Sequence, residues 1–386
     1  MSQYKQVCPV VFGFGASKEA GTRMKAFGAK NILLISDEFI VKQPFYSEIK
    51  KSLTDAGLKA FEYGKCLADP PEATCDEAAV FAQRNAVDGI VAVGGGSVID
   101  TAKAVSMVIA TGKKVADLYN VNETSDVPLI AIPTNSGTGS EATSFSVVTS
   151  AEGRKCVIFL APNLAIVDPE LTFSAPSNVT CSSGLDAFSH AAEAITSSVT
   201  VPGMWGPNPR SDVLGQDAIR RIVKYLPAAV ADGSNREARE QISLASNFAG
   251  IAFEDTMCQL GHSIAHSAGS AFHITHGLCC GLAMPVVLKF TATRQPEKTK
   301  MVADAMGIET DGVQSGEELA AIISEGMIAF LREVNAKSYK EMGYTREQIV
   351  GLADMVMTDA CWPFVEQPLE KPEVEQILGD MYDCYQ

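Results

Sequence analysis

The segment GHSIAHSAGSAFHITHG (261–277) holds four of the chain's five histidines: His262, His266, His273 and His276. Imidazole is the commonest metal ligand and the usual acid–base group near neutral pH, so gathering it points to a divalent ion, to proton transfer, or to both. His262 and His266 stand four apart and share a face if the segment is helical, while His273 and His276 follow a Gly-Ser turn that can fold back. The fifth histidine, His190, lies four residues after Asp186 in SSGLDAFSHAAEA, among small and apolar neighbours where an unpaired carboxylate is costly. Together the two stretches offer one oxygen and three or more nitrogens, a set suited to Zn²⁺, Fe²⁺ or another divalent ion with a position open to substrate. Spacing alone leaves open which histidine stands outside the shell.

A second pattern suits phosphate. In GIVAVGGGSVIDTAKAV (89–105) an apolar strand runs into Gly94, Gly95 and Gly96, then Ser97, then a helix whose first turn carries Asp100. Without Cβ atoms the glycine amides can approach a pyrophosphate closely, and the helix N-terminus adds its positive dipole end. Upstream, NILLISD ends in Asp37, placed to accept hydrogen bonds from a ribose 2′-hydroxyl and to repel a 2′-phosphate, which favours NAD over NADP.

These residues need two kinds of scaffold. Residues 1–180 alternate β-branched runs with helical ones, as in NILLISD, the helical stretch Phe45–Ala56, VPLIAIPT (127–134), SFSVVTS (144–150) and NLAIVDP (163–169), the rhythm of an α/β dinucleotide-binding domain with a parallel sheet. Residues 181–386 carry apolar positions at three- and four-residue spacing and read as an all-helical domain for metal and substrate, with VPGMWGPNPRSD (201–212) as an interhelical loop. The fold class is therefore α/β plus all-α, and 386 residues exceed the usual single core. A net charge of −15 without any Lys/Arg-rich block makes nucleic acid and membrane poor partners. The N-terminus shows no charged segment followed by a long apolar one, so a cytoplasmic protein is expected. The ten cysteines are scattered and lack a CxxC pair, which fits reduced, mostly buried thiols.

Four motifs in order, GGGSVIDTAKA, PTNSGTGSEAT, LDAFSHAAEA and GHSIAHSAGSAFHITHG, resemble the iron-containing (group III) alcohol dehydrogenases, the family of lactaldehyde reductase and 1,3-propanediol dehydrogenase. The resemblance runs along nearly the whole chain. It implies a dehydroquinate synthase-like fold: an N-terminal Rossmann-like dinucleotide domain, a helical C-terminal domain and an active-site cleft between them. It implies that Asp186, His190, His262 and His276 ligate Fe²⁺, that His266 relays a proton or orients substrate, and that His273 lines the same cleft. NAD(H) would rest its pyrophosphate on Gly95, Gly96 and Ser97, with Thr134, Thr138 and Lys155 in the nucleotide pocket and Asp37 at the adenosine ribose. Phe253 and Cys361 match residues that flank substrate.

The chain departs from that pattern at DACWPFVEQPLEKPEVEQ (359–376) and in the 201–212 loop, where Arg210 stands at a usually apolar position. Arg210 offers a partner for the carboxylate or sulfonate tail of an anionic aldehyde such as sulfoacetaldehyde. The reaction expected is reversible hydride transfer between nicotinamide and a short alcohol, diol or functionalised aldehyde, in a homodimer or larger homo-oligomer. The alternatives are a hydroxyacid–oxoacid transhydrogenase and a polyol enzyme resembling glycerol dehydrogenase.

Overall fold

The computed structural model describes Tyr4 and residues 6–121, 123–201, 206–366 and 369–386. Its chain forms two compact units. The first comprises Gln6–Asn135 and Gly139–Ala175; the second takes Pro176–Gln386, Tyr4 and the short excursion Ser136–Thr138. The sequence boundary at 180/181 misses that excursion, because three residues inside a loop carry no change of periodicity.

The first unit is built on a six-stranded parallel sheet in the order β1-β8-β5-β4-β2-β3, from β1 (Val10–Phe12), β2 (Asn31–Ile35), β3 (Lys59–Tyr63), β4 (Gly89–Gly94), β5 (Leu129–Pro133) and β8 (Leu164–Val167). Every residue of β4 and β5 is buried, as expected of central strands covered on both faces. Helices α1 (Ala20–Ala26), α2 (Pro44–Asp55), α3 (Glu72–Arg84) and α4 (Gly96–Thr111) supply the cover. SFSVVTS does form a strand, β6 (Phe145–Thr149), but it pairs antiparallel with β7 (Lys155–Phe159) in a separate two-stranded sheet. Strand order reverses between β2 and β4, and in open α/β sheets that switch point, at the carboxyl ends of the strands, is where ligands bind. Asp37 follows β2 and Gly95 follows β4, so the two candidate residues flank the crevice.

The second unit is helical: α5 (Ser177–Ile195), α6 (Pro209–Ala231), α7 (Arg236–Glu254), α8 (Leu260–Phe272), α9 (His276–Arg294), α10 (Pro296–Met306), α11 (Gly316–Glu333), α12 (Arg346–Val350), α13 (Ala353–Met357) and α14 (Lys371–Cys384). From Gly184 to Ile195 every residue of α5 is buried, so this helix is the unit's axis rather than an amphipathic surface helix. Among the described residues only α9 is long and apolar enough to cross a bilayer, and most of that stretch is buried in this core. Of the 201–212 segment expected as an interhelical loop, Pro202–Trp205 lie outside the described residues and Pro209–Asp212 form the first turn of α6, so Arg210 is helical; Gln367–Pro368 of the 359–376 segment also lie outside the described residues.

Candidate metal centre and nucleotide cradle

Asp186 and His190 stand one turn apart on the buried axis α5, and His262 and His266 one turn apart on α8. His276 is the first residue of α9. The close approach of α9 to α5 depends on Gly277: a Cβ there would fall 2.0 Å from the Ser182 carbonyl oxygen and 2.8 Å from Asp186 Cβ. Asp186 Oδ1 lies 3.8 Å from His190 Nδ1, 3.7 Å from His262 Nε2 and 3.5 Å from His276 Nε2. Three of these atoms, Asp186 Oδ1, His190 Nδ1 and His262 Nε2, are buried without a hydrogen-bond partner. Orphaned polar atoms are expensive in a core, and three facing one point make a donor set that a divalent cation would satisfy. Burial pushes His190 down to about 4 and His276 down to about 3, so both imidazoles are neutral and ready to ligate at pH 7. Burial alone would raise the Asp186 carboxyl, but His190, His276 and His262 hold it below the usual carboxylate range.

The ligand atoms are held from behind. Glu193, one turn beyond His190 on α5, takes His262 Nδ1 at 2.5 Å through Oε2 and accepts the amides of Gln259 at 3.1 Å and Gly261 at 2.6 Å. Its carboxylate thus binds the N-terminus of α8 and leaves His262 Nε2 aimed at Asp186. His190 stacks on Phe253, with ring centroids 4.2 Å apart. His266 Nδ1 meets Asp359 Oδ2 at 3.0 Å, and Asp359 Oδ1 accepts the Cys361 amide at 2.8 Å. The His266 ring stacks on His276 at 5.2 Å. Burial works against charge on Asp359, yet the hydrogen bond from His266 keeps its carboxyl below the ordinary value.

Two thiols border the same cluster. Cys280 Sγ is 3.5 Å from His276 Nε2, and Cys258 groups with His190 and His262. Sequence reasoning assigned neither thiol, nor Glu193, nor Asp359. Only Glu193 left a signal, since Asp186, His190 and Glu193 fall on one helical face at spacings of four and three.

Other expected residues are placed differently. His273 is exposed at the C-cap of α8 with φ 55°, and among the described residues its ring touches none of the other four histidines. It therefore sits apart from the cluster it was expected to join. Arg210 is paired with Asp255 inside the helical unit, with its guanidinium over the Tyr4 ring. That carboxylate answers the guanidinium charge from within the same unit. Phe253 and Cys361 are buried, the first against His190 and the second behind His266.

In the first unit, Gly95 caps α4 in extended backbone, and a Cβ on it would fall 2.9 Å from Asn135 Nδ2. The first-turn amides of Gly96 and Ser97 have no protein acceptor among the described residues, as befits an anion-binding helix start. The glycine run has an internal reason too, because a Cβ on Gly94 would strike Val98 at 2.5 Å. Asp37 uses Oδ1 to accept the amides of Phe39 and Ile40 at 2.8 Å each, a turn-forming role beside the crevice. Asp100 is hydrogen-bonded within the protein: Oδ1 accepts Ser140 Oγ at 2.6 Å and Oδ2 accepts the Val147 amide at 3.2 Å. Lys155 pairs with Asp69, whose amide donates to Ser97 Oγ at 3.3 Å. Thr134 is buried just after β5, whereas Thr138 belongs to the helical unit.

Residues 9–169 match the family described as iron-containing alcohol dehydrogenase, and residues 180–382 match the C-terminal domain of the same family. An NAD-dependent methanol dehydrogenase of Bacillus methanolicus is 37% identical over 380 residues, covering 95% of this chain and 96% of that protein. A mitochondrial hydroxyacid-oxoacid transhydrogenase of Pongo abelii is 31% identical over 424 residues, covering 98% and 88%. The crystal structure of a 1,3-propanediol oxidoreductase superposes with a TM-score of 0.91 at 26% identity, covering 98% of this chain and all of that one.

Proposed function

The chain belongs to the iron-containing alcohol dehydrogenase family and is an alcohol oxidoreductase, and on that premise we propose that it interconverts a short-chain alcohol and its aldehyde with NAD(H), on an Fe²⁺ ion held by Asp186, His190, His262 and His276. The observation that carries this reading is the set of three buried, partnerless donor atoms, Asp186 Oδ1, His190 Nδ1 and His262 Nε2. When bound, the ion supplies Lewis acidity toward the substrate oxygen. One anionic and three neutral donors leave net positive charge for it to exert. Glu193 fixes the tautomer and angle of His262, and Phe253 clamps the His190 ring. His266, oriented by Asp359, exchanges the substrate proton with solvent.

In the first unit the free amides of Gly96 and Ser97 receive the pyrophosphate and Asp37 keeps one oxygen for the ribose. The pairing of Arg210 with Asp255 favours an uncharged substrate over sulfoacetaldehyde. A cytoplasmic homo-oligomer completes the reading, on the family resemblance.

The test is NADH oxidation over a panel of short aldehydes, before and after chelation, in the parent and in His266→Ala. Chelation should abolish turnover on neutral aldehydes, and His266→Ala should lower kcat by about 10²–10⁴-fold with bound metal retained. Full activity after exhaustive chelation would refute the metal role. Reduction only through a hydroxyacid, without release of NAD, would replace the reading with the transhydrogenase.

A further inference from the structure

Four donor atoms lying within 4.8 Å of one another come from Asp186, His262, His276 and Cys280, so one of the four is a sulfur. An ion with bonds of about 2.0–2.3 Å spaces neighbouring ligand atoms about 2.8–3.8 Å apart, including where Cys280 joins Asp186, His190, His262 and His276 as a fifth donor. The structure has 3.7 Å from Asp186 Oδ1 to His262 Nε2, 3.5 Å from Asp186 Oδ1 to His276 Nε2 and 3.5 Å from His276 Nε2 to Cys280 Sγ. Cys280 follows His276 by four residues on α9, so one helical face presents imidazole and thiol to the same point. Two of the other donor atoms, Asp186 Oδ1 and His262 Nε2, are buried and unpartnered, and they independently mark that point as a cation position. Cys258 groups instead with His190 and His262 and does not share a group with Asp186.

We propose that Cys280 is a thiolate ligand of the ion, so that the shell of this protein contains sulfur in addition to carboxylate and imidazole. The inference rests on the metal reading above. On binding, the S–H bond breaks, the proton leaves to solvent, and the sulfur lone pair forms the bond to the metal; no oxidant or reductant is required. Two consequences follow. Added to the one anionic and three neutral donors above, a thiolate lowers the net positive charge they leave on the ion and so tempers its Lewis acidity. A soft donor also moves selection toward zinc relative to a site of oxygen and nitrogen alone.

The experiment loads full-length, chelator-stripped protein with Co²⁺ alone under anaerobic conditions and records its absorption, without any assay of turnover. The parent should show thiolate-to-cobalt charge-transfer absorption in the near ultraviolet beside visible d–d bands. Cys280→Ala should lose the charge-transfer absorption while keeping the d–d bands and its circular dichroism, and Cys258→Ala should keep both. Visible bands without charge transfer in the parent would overturn the assignment to sulfur and leave the metal site standing. Charge transfer that survives in Cys280→Ala, or vanishes in Cys258→Ala, would overturn the assignment to Cys280. If the parent takes up no cobalt at all, the metal reading falls together with this inference.

Discussion

Asp100 in the α/β unit and Asp186 in the helical unit are both carboxylates on a helix that packs into a core, and their surroundings resolve the same problem in opposite ways. Around Asp100 the protein completes the circuit. Ser140 Oγ and the Val147 amide take its two oxygens, and the fully buried Lys103, one turn along α4, donates to Ser140 Oγ and the Thr143 carbonyl at 3.0 Å each and to the Phe145 carbonyl at 2.5 Å. Burial raises the Asp100 carboxyl, and Lys103, Ser140 and Val147 pull the other way. Around Asp186 burial keeps His190 and His276 neutral, the acidic groups around His262 raise that imidazole while Glu193 takes its Nδ1, and three donor atoms are left over. A buried charge network that is internally complete is architecture, and one that is short of positive charge is a binding site.

The largest effects should come from breaking each network. Asp186→Ala or His262→Ala should reduce bound metal from about one per chain to less than about a tenth, because these residues supply the donors themselves. The stability of metal-free Asp186→Ala should change little, since it removes an orphaned oxygen, whereas His262→Ala also strips the buried Glu193 carboxylate of its Nδ1 partner and lowers stability. Lys103→Met should do the reverse, costing about 3–5 kcal/mol in denaturant titration by leaving Asp100 without its cation, with metal content unchanged. Elemental analysis and unfolding curves on the same preparations decide the matter. Metal loss in Lys103→Met, or an intact metal complement in Asp186→Ala, would erase the distinction between the two carboxylates.

A smaller effect sharpens the comparison from behind the ligands. Glu193→Gln keeps an oxygen that can accept from His262 Nδ1 but removes the charge that raises its basicity. Metal affinity, measured by competition with a chelator, should fall about 10–100-fold. An affinity within about threefold of the parent would mean that Glu193 serves only to start α8 through the Gln259 and Gly261 amides.

These contrasts were unevenly legible in the sequence. The histidine cluster stood out because a rare residue was concentrated on helical spacing, and the strand–glycine–helix passage stood out because local backbone geometry demands it. The roles of Asp100 and Arg210 did not, because their partners lie 40 to 47 residues away for Asp100 and 45 away for Arg210, and no local pattern encodes such a meeting. β3 leaves little trace in the sequence because KAFEY, on the sheet edge, exposes Lys59 and Glu62, buries only Tyr63 and alternates poorly. Glu193 shares a helical face with Asp186 and His190 in the sequence, but its partner His262 lies 69 residues away, where no local pattern gives it.

The smallest expected effect concerns the histidine that composition grouped with the others and geometry separates. His273 closes α8 in the left-handed region, φ 55° and ψ 34°, with its amide donating to the Gly269 carbonyl at 2.9 Å and its ring exposed. Helix C-caps favour that conformation in glycine, and for an L-residue it costs about 1–2 kcal/mol, against about 0.5–1 kcal/mol of extra chain entropy that glycine surrenders on folding. His273→Gly should therefore keep kcat within about threefold and raise stability by up to about 1 kcal/mol. Steady-state kinetics paired with a thermal melt reads both quantities. A fall in kcat of more than about tenfold, with metal content and melting temperature preserved, would return His273 to the chemistry and show that the boundary drawn through GHSIAHSAGSAFHITHG is misplaced.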